Sequence, residues 1–79
     1  MNSYSFDKNI HDTIRKNIKK YRKEKNMTAA KLAEHVDLSH EFIRQIESEK
    51  IAYNPSLETL YKISVVLGVT LDQLVKKRE

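Results

Sequence analysis

The chain has 79 residues, a length that allows one domain with a single small core. It has no cysteine, which excludes disulfides and thiolate metal sites and fits a reducing cytoplasm. The formal net charge is +4, the longest nearly apolar run is VVLGV, and no basic start followed by an apolar stretch opens the chain. We therefore expect neither a secretion signal nor a membrane span, and we expect a cytoplasmic protein.

The positive charge is concentrated near the N-terminus. Residues 1–27 carry eight Lys or Arg and three Asp or Glu, whereas residues 28–53 carry three and five. The run RKNIKKYRKEK supplies most of the positive field. Such a face suits an anionic partner such as nucleic acid, and it equally suits a well-solvated helix. Lys19, Lys20 and Lys23 are expected to supply a diffuse field or only solubility.

One glycine and one proline, with few runs of alternating apolar and polar residues, predict an all-helical chain. A first helix is expected from about 8 to 25, ending near Asn26. Its apolar side chains recur at spacings of four and three: Ile10, Ile14, Ile18 and Tyr21. Thr28 can cap a second helix that reaches about Val36, and Ser39 can cap a third.

The C-terminal third of the chain predicts two more helices. Either Asn54 or Ser56 is expected to cap the fourth helix, with Pro55 in its first turn. Gly68 is expected to end that helix. Its inward stripe consists of Leu57, Leu60, Ile63, Ser64 and Leu67. The segment TLDQL, with threonine followed three residues later by glutamine, has the residues of a capping box and opens a short fifth helix.

The second and third helices are separated only by Asp37 and Leu38. Two helices joined by so short a turn meet at a steep angle, so the second can project into a DNA major groove. Ala33 supplies the small side chain that such a crossing needs. Helical geometry turns one set of third-helix residues inward, namely Ile43, Ile46 and Glu47, and turns another set outward, namely Glu41, Arg44, Gln45 and Ser48.

Hydrogen-bonding side chains on that outward face suit the reading of base edges. Arg44 suits the two acceptors of guanine and Gln45 the acceptor and donor of adenine, the alternative being an ordinary exposed helix surface. His40 and Glu41 lie at the end that would enter the groove. Glu41 either contacts cytosine or complements the helix dipole. Phe42 is expected to be partly buried rather than to contact a thymine methyl.

The stretch MTAAKLAEHVDLSHEFIRQIE, followed by NPSLETLYKISVVLGVTLDQL, resembles the phage-repressor type of helix-turn-helix regulator, the Xre or lambda-repressor-like family. The resemblance covers about residues 14–74. It implies an all-α, five-helix lambda-repressor-like DNA-binding domain whose helix-turn-helix consists of helices 2 and 3. One domain is expected over residues 1–79, with a core at about 8–76 and frayed ends at 1–7 and 77–79.

Residues at the starts of helices 2 and 3 and in the loop after helix 3 are candidates for contact with DNA phosphates, the alternative being that they are ordinary solvated residues. The candidates are Thr28, Ala29, Ser39, Lys50, Tyr53 and Asn54. The chain departs from the family pattern in helix 2, where Ala29 replaces the usual glutamine and Lys31 the usual capping acid. Asp37 replaces the usual turn glycine and is expected to adopt a left-handed conformation, which Asp tolerates better than most residues. The loop SEKIAYNP is about two residues longer than the common form.

Two further features follow from the resemblance. Arg22 and Glu47 match positions where the family pairs Arg with Glu, which predicts a largely buried ion pair between helices 1 and 3. Helix 5 matches a usual dimer contact, and surplus apolar surface often marks an interface. The interface of a homodimer is therefore expected at Val65, Val66, Leu71, Leu74 and Val75. The alternative is that these side chains complete the core of one copy.

We expect a sequence-specific DNA-binding transcriptional regulator that inserts helix 3 into the major groove of a palindromic operator, with double-stranded DNA and a second copy as partners. The rival is a protein-interaction module, such as an antitoxin or anti-repressor subunit, with weak or no specific DNA binding. Ala29 and the acidic balance of residues 28–53 favour that rival. No nucleophile–base pair or glycine-rich phosphate loop is present, so no enzyme is expected. His11, His35 and His40 share no metal spacing on one helix face, and neither a cofactor nor a small-molecule ligand is expected.

Overall fold

The computed structural model describes residues 6–51 and 53–78. The described chain forms five helices and no strand, so the expected all-α class and the order of the helices are confirmed. The helices are α1 (Ile10–Glu24), α2 (Ala29–His35), α3 (His40–Glu47), α4 (Leu57–Leu67) and α5 (Leu71–Val75). Helix α1 is slightly shorter than the 8–25 expected from its periodicity.

Four of the five described helices begin at a hydroxyl cap. In each, the side-chain oxygen accepts a hydrogen bond from the backbone N–H three residues later; these caps are Thr28, Ser39, Ser56 and Thr70. The Gln73 side chain also accepts from the Thr70 N–H, which completes the predicted capping box. Because Ser56 rather than Asn54 caps α4, Pro55 precedes the helix. The expectation that Pro55 lies in its first turn is therefore wrong.

Helices α1, α2 and α4 end in the same way. A residue with positive φ follows each helix: Asn26 at 56°, Asp37 at 59° and Gly68 at 70°. The N–H after each of these residues bonds back to a carbonyl five positions earlier, as in Leu38 N to Ala33 O at 2.9 Å. The residue after the left-handed position is apolar and packs against the core in all three cases, namely Met27, Leu38 and Val69. Each of these helices is therefore ended by two features, a residue in the left-handed conformation and, directly after it, an apolar residue that packs against the core.

The core contains apolar side chains from all five helices. Its buried members are Ile14, Ile18, Leu32, Ala33, Val36, Ile43, Ile46, Leu60, Ile63, Leu67 and Leu74. Ala33 is buried in α2, whose closest neighbour in the fold is α3, as its small size predicts for a helix crossing. Leu57 is the exception to the predicted stripe of α4, since 71% of it is exposed. It lies in the first turn, where no described element covers it.

Two long-range contacts hold the C-terminal segment against α1. Asn17 is buried, and its Nδ2 donates to the carbonyls of Leu74 at 2.8 Å and Lys76 at 2.6 Å, which satisfies the end of α5. The Arg78 guanidinium lies 4.4 Å from the Tyr21 ring centroid and donates to Glu24. Arg78, which lies within the predicted frayed end at 77–79, makes these contacts outside any helix, and the predictions for residues 1–5 and 79 lie outside the described residues.

The Arg22–Glu47 pair joins α1 to the end of α3. Arg22 Nε donates to Glu47 Oε2 at 2.8 Å and Nη2 donates to Oε1 at 2.9 Å, so the contact is bidentate. Nη1 donates to the Met27 carbonyl at 2.7 Å. The two side chains are 10% and 9% exposed. The hydrogen bonds from Arg22 to the Glu47 carboxylate raise the pKa of Arg22, so the guanidinium stays charged.

We expect Glu47→Ala to lower the free energy of unfolding by about 3–5 kcal/mol, because the Arg22 guanidinium would remain buried without its anionic partner. Denaturation followed by circular dichroism measures the change. Glu34→Ala is the control, since it removes the exposed partner of Lys31 and should change stability by less than about 1 kcal/mol. If Glu47→Ala unfolds at the same denaturant concentration as Glu34→Ala, the buried pair contributes no more to stability than a surface pair.

The left-handed conformation of Asp37 gives a second prediction. Asp37→Val should lower the free energy of unfolding by about 1–2 kcal/mol, because a β-branched side chain clashes with the backbone at positive φ. Asp37→Gly should be at least as stable as the unchanged protein, since glycine adopts this conformation freely. Equal stability of the two variants, measured by thermal unfolding, would show that the turn conformation is not maintained in solution.

Candidate nucleic-acid interface

Helix α3 has one face in the core and the opposite face open. Ile43 and Ile46 are buried, whereas His40, Glu41 and Arg44 are exposed. Gln45 and Ser48, the remaining members of the predicted outward face, are partly buried. The structure therefore places the four predicted base readers on the first two turns of one helix, and Ser48 immediately after it.

Three contacts fix the rotation of α3 about its axis. At its start, Ser39 Oγ accepts from the Phe42 N–H at 3.1 Å. At its end, the Glu47 carboxylate is bound by Arg22. On one flank, the Phe42 ring meets the Tyr53 ring edge-on, with centroids 4.9 Å apart and planes at 79°. Phe42 is thus packed against the loop that follows α3, in agreement with the expected partial burial.

Arg44 is held by a neighbouring acid in the free protein. Its Nη1 lies 3.6 Å from Glu41 Oε1, and both side chains are largely exposed. A pair of this kind contributes less than about 1 kcal/mol in water, so a guanine edge that accepts two hydrogen bonds can displace the carboxylate. Gln45, which follows Arg44 and is partly buried, offers an amide with both a donor and an acceptor. These groups can make base-specific hydrogen bonds.

The predicted phosphate contacts divide into two groups. Thr28 and Ser39 use their oxygens as acceptors for the helix caps, yet each hydroxyl keeps a proton that it can donate to a phosphate. Ala29, in the first turn of α2, offers only its backbone N–H. The second group, Lys50, Tyr53 and Asn54, lies in the loop between α3 and α4. Lys50 and Asn54 are exposed, whereas the Tyr53 ring is partly buried against Phe42.

A groove between the start of α1 and the loop after α3 was not predicted from the sequence. Lys8, His11, Arg15 and Lys50 contribute basic groups to it, and Ser48 borders it. Arg15 is partly neutralised by Asp12 and Glu49. Hydrogen bonds from Arg15 and then Lys16 lower the pKa of Asp12. Lys8, His11 and Arg15 are spaced three and four residues apart, which predicts one basic face of the first helix. Only the tertiary contact between α1 and the loop, however, brings this face beside Lys50.

The predicted dimer residues are not equally accessible. Val65 is 60% exposed, and Val66, Leu71 and Val75 are partly buried. Leu74 is fully buried among the core side chains of a single copy. For Leu74, this burial favours the alternative that the side chain completes the core of one copy.

The described part of the chain contains neither a cluster of metal-ligating side chains nor a membrane-spanning helix. No group of three or more His, Cys, Asp or Glu side chains there could hold a metal ion. His35 ends α2 and His40 begins α3, while His11 lies near the start of α1. No helix in the described ranges is both long and apolar enough to cross a membrane.

Comparisons with known proteins agree with this geometry. A family model described as helix-turn-helix matches residues 18–74. The chain is 38% identical over 63 residues to the immunity repressor protein of Bacillus phage phi105, which covers 80% of this chain and 42% of that protein. It is 35% identical over 66 residues to the HTH-type transcriptional regulator SinR of Bacillus licheniformis, which covers 84% of this chain and 59% of that regulator.

A solved structure gives the same relationship. The crystal structure of SinR, the master regulator for biofilm formation, in complex with DNA has a TM-score of 0.73 and 36% sequence identity, covering 80% of this chain and 98% of that chain. The present chain spans 42% and 59% of the length of the two curated relatives. The matched segment includes α2, α3 and the turn between them. The chain therefore belongs to the helix-turn-helix family of the phage-repressor (Xre) type.

Proposed function

We propose that this protein is a sequence-specific DNA-binding transcriptional regulator that inserts α3 into the major groove. The observation that carries the proposal is the open polar face of α3, held in one rotation by Ser39, the Arg22–Glu47 pair and the Phe42–Tyr53 contact. A helix fixed in this way presents the same side chains to every base pair that it meets, as sequence discrimination requires.

The relatives support this function. The likeness to SinR extends over 98% of a chain whose structure was solved in complex with DNA, and the phage relative is named as an immunity repressor. Family members are transcription regulators, so we propose no catalytic activity and action in the cytoplasm, where such regulators meet DNA.

Within the proposed complex each residue has a distinct role. Arg44 reads guanine and Gln45 reads adenine, while His40 and Glu41 contact bases at the start of α3. Phosphates are bound around the two helix starts and by the loop after α3, and they position the protein without reading sequence. The residues for that role are Thr28, Ala29, Ser39, Lys50, Tyr53 and Asn54.

One helix-turn-helix unit contacts only a few base pairs, which is too little information to select one site among many genomic competitors. We therefore propose that two copies bind a palindromic operator. A two-fold axis would place the two copies of α3 about 34 Å apart, one helical turn of DNA.

The rival function, a protein-interaction module, is favoured by one specific observation. The Arg44 charge is countered by Glu41, and the surrounding residues 28–53 carry more acids than bases. Selection of bound duplexes from random DNA separates the two functions. We expect enrichment of a two-fold symmetric site. Recovery of unenriched sequences, with no retarded band in a gel-shift assay at low salt, would exclude specific DNA binding and leave the rival function.

Substitutions on α3 should affect sequence preference, and those in the loop should not. Arg44→Ala and Gln45→Ala should each lose about 1–3 kcal/mol of binding free energy on the selected site and relax preference at one base pair. Lys50→Ala should weaken binding to all duplexes alike and reduce the slope of log affinity against log salt by about 1. Fluorescence anisotropy titrations at several salt concentrations measure both effects.

Lys19→Ala, which removes an exposed charge from the outward face of α1, is the matched control and should leave the salt slope nearly unchanged. Equal losses on selected and random DNA for Arg44→Ala would show that Arg44 positions the protein rather than reads a base.

A further inference from the structure

An apolar ridge runs along the outer side of α4. Leu57, Tyr61 and Val65 are 71%, 58% and 60% exposed. Their spacing of four residues aligns them on one ridge of the helix, about 12 Å from end to end. A soluble domain of this size has little reason to expose three large apolar side chains in a row unless they contact a partner.

A groove lies beside the C-terminal end of the ridge, where α4 meets the end of α2. Its walls include Val36, Tyr61, Val65 and Val66. Polar groups form its rim, namely His35, Asp37 and Lys62. The same face of the molecule therefore carries a projecting apolar side chain, Leu57, and an apolar hollow that could receive one.

We propose that this face binds the same face of a second copy of the chain, with the two α4 helices antiparallel about a two-fold axis near Tyr61. Leu57 of each copy then enters the groove beside Val65 of the other, and the two Tyr61 rings meet at the axis. An interface of this kind is self-complementary, as two-fold pairing requires. The proposal rests on the two-copy part of the proposed function and deepens it by naming the surface.

The charges around the ridge favour a second copy over an unrelated apolar partner. Glu58 lies next to Leu57, and Lys62 lies on the groove rim together with His35. Within one copy Glu58 and Lys62 are 3.8 Å apart. Antiparallel pairing about this axis brings Glu58 of one copy toward Lys62 of the other, so opposite charges meet across the interface. The apolar ridge and the charges beside it are therefore complementary to the same surface of a second copy related by the two-fold axis.

The size of the patch sets the strength of the pairing. Ridges of residues four apart interlock at a crossing angle of about −50°. Three side chains and one groove wall cover less than the roughly 800 Å² per partner of a stable interface, so the pair is weak in free solution. DNA that binds both copies raises their effective concentration and completes the dimer. Helix α4 packs on α1, α2 and α5, and neither the ridge nor the groove beside it includes a residue of α3.

The absence of cysteine from the sequence allows a direct test, because any introduced thiol is the only one. Leu57→Cys and Val65→Cys proteins are treated with a short bismaleimide, separately and as a mixture, without DNA. We expect the mixture to give at least about tenfold more cross-linked dimer than either variant alone, because antiparallel pairing places the two positions together. Lys19→Cys, on the outward face of α1, is the control for random collision.

Tyr61→Lys supplies the second measurement, with circular dichroism to verify that it folds. It should abolish the concentration-dependent rise in mass seen by sedimentation equilibrium. It should also lower affinity for a two-fold DNA site while leaving affinity for a single half-site unchanged.

Cross-linking of the mixture no greater than that of Lys19→Cys, together with a monomeric mass at every concentration, would overturn the inference and leave the ridge to another partner. Because cross-linking is measured without DNA, a protein that cross-links but binds no duplex would instead overturn the DNA-binding function alone.

Discussion

The orientation of α3 depends on the bidentate contact between Arg22 and Glu47. Apolar packing of Ile43 and Ile46 keeps the helix on the core, but contacts between aliphatic side chains are not directional and allow a helix to rotate or slide. Two parallel hydrogen bonds at the end of α3 remove that freedom. The third donor of Arg22 binds the carbonyl of Met27, so one guanidinium ties together α1, the turn that follows it and the end of α3.

Local chemistry made much of this fold predictable. A hydroxyl cap needs only a backbone N–H three residues away, so Thr28, Ser39 and the Thr70 capping box could be identified from short segments. Asp37 could be assigned a left-handed conformation because it stands where the family that the sequence resembles usually has the turn glycine. The family resemblance added the Arg22–Glu47 pair, whose partners are 25 residues apart and carry no local signal.

Features that depend on tertiary neighbours were not predictable. Leu57 and Leu74 are both leucines at helical spacing, yet one is largely exposed and the other completely buried, because Leu74 packs within the core cluster whereas Leu57 lies outside it. Asn17 occupies the apolar face of α1, and its role in satisfying the carbonyls at the end of α5 requires a contact 57 residues away. The contact of Arg78 with the Tyr21 ring is of the same kind, since its partner lies far away in the sequence. For the candidate site, periodicity gave the outward face of α3 but not the basic groove beside it.

The ion pair between Glu41 and Arg44 has a consequence for fidelity when α3 enters the groove as proposed. A carboxylate on the reading face is repelled by the phosphates of any duplex, so sliding along non-cognate sequence is disfavoured at each step. Only a base that offers two well-placed acceptors replaces the interaction that Arg44 loses when it leaves Glu41. In the proposed complex, Arg44 would stay with Glu41 at sites without such a base and add nothing to binding there. The pair would be broken only where the base replaces it, and this raises the difference between the correct site and the rest of the genome.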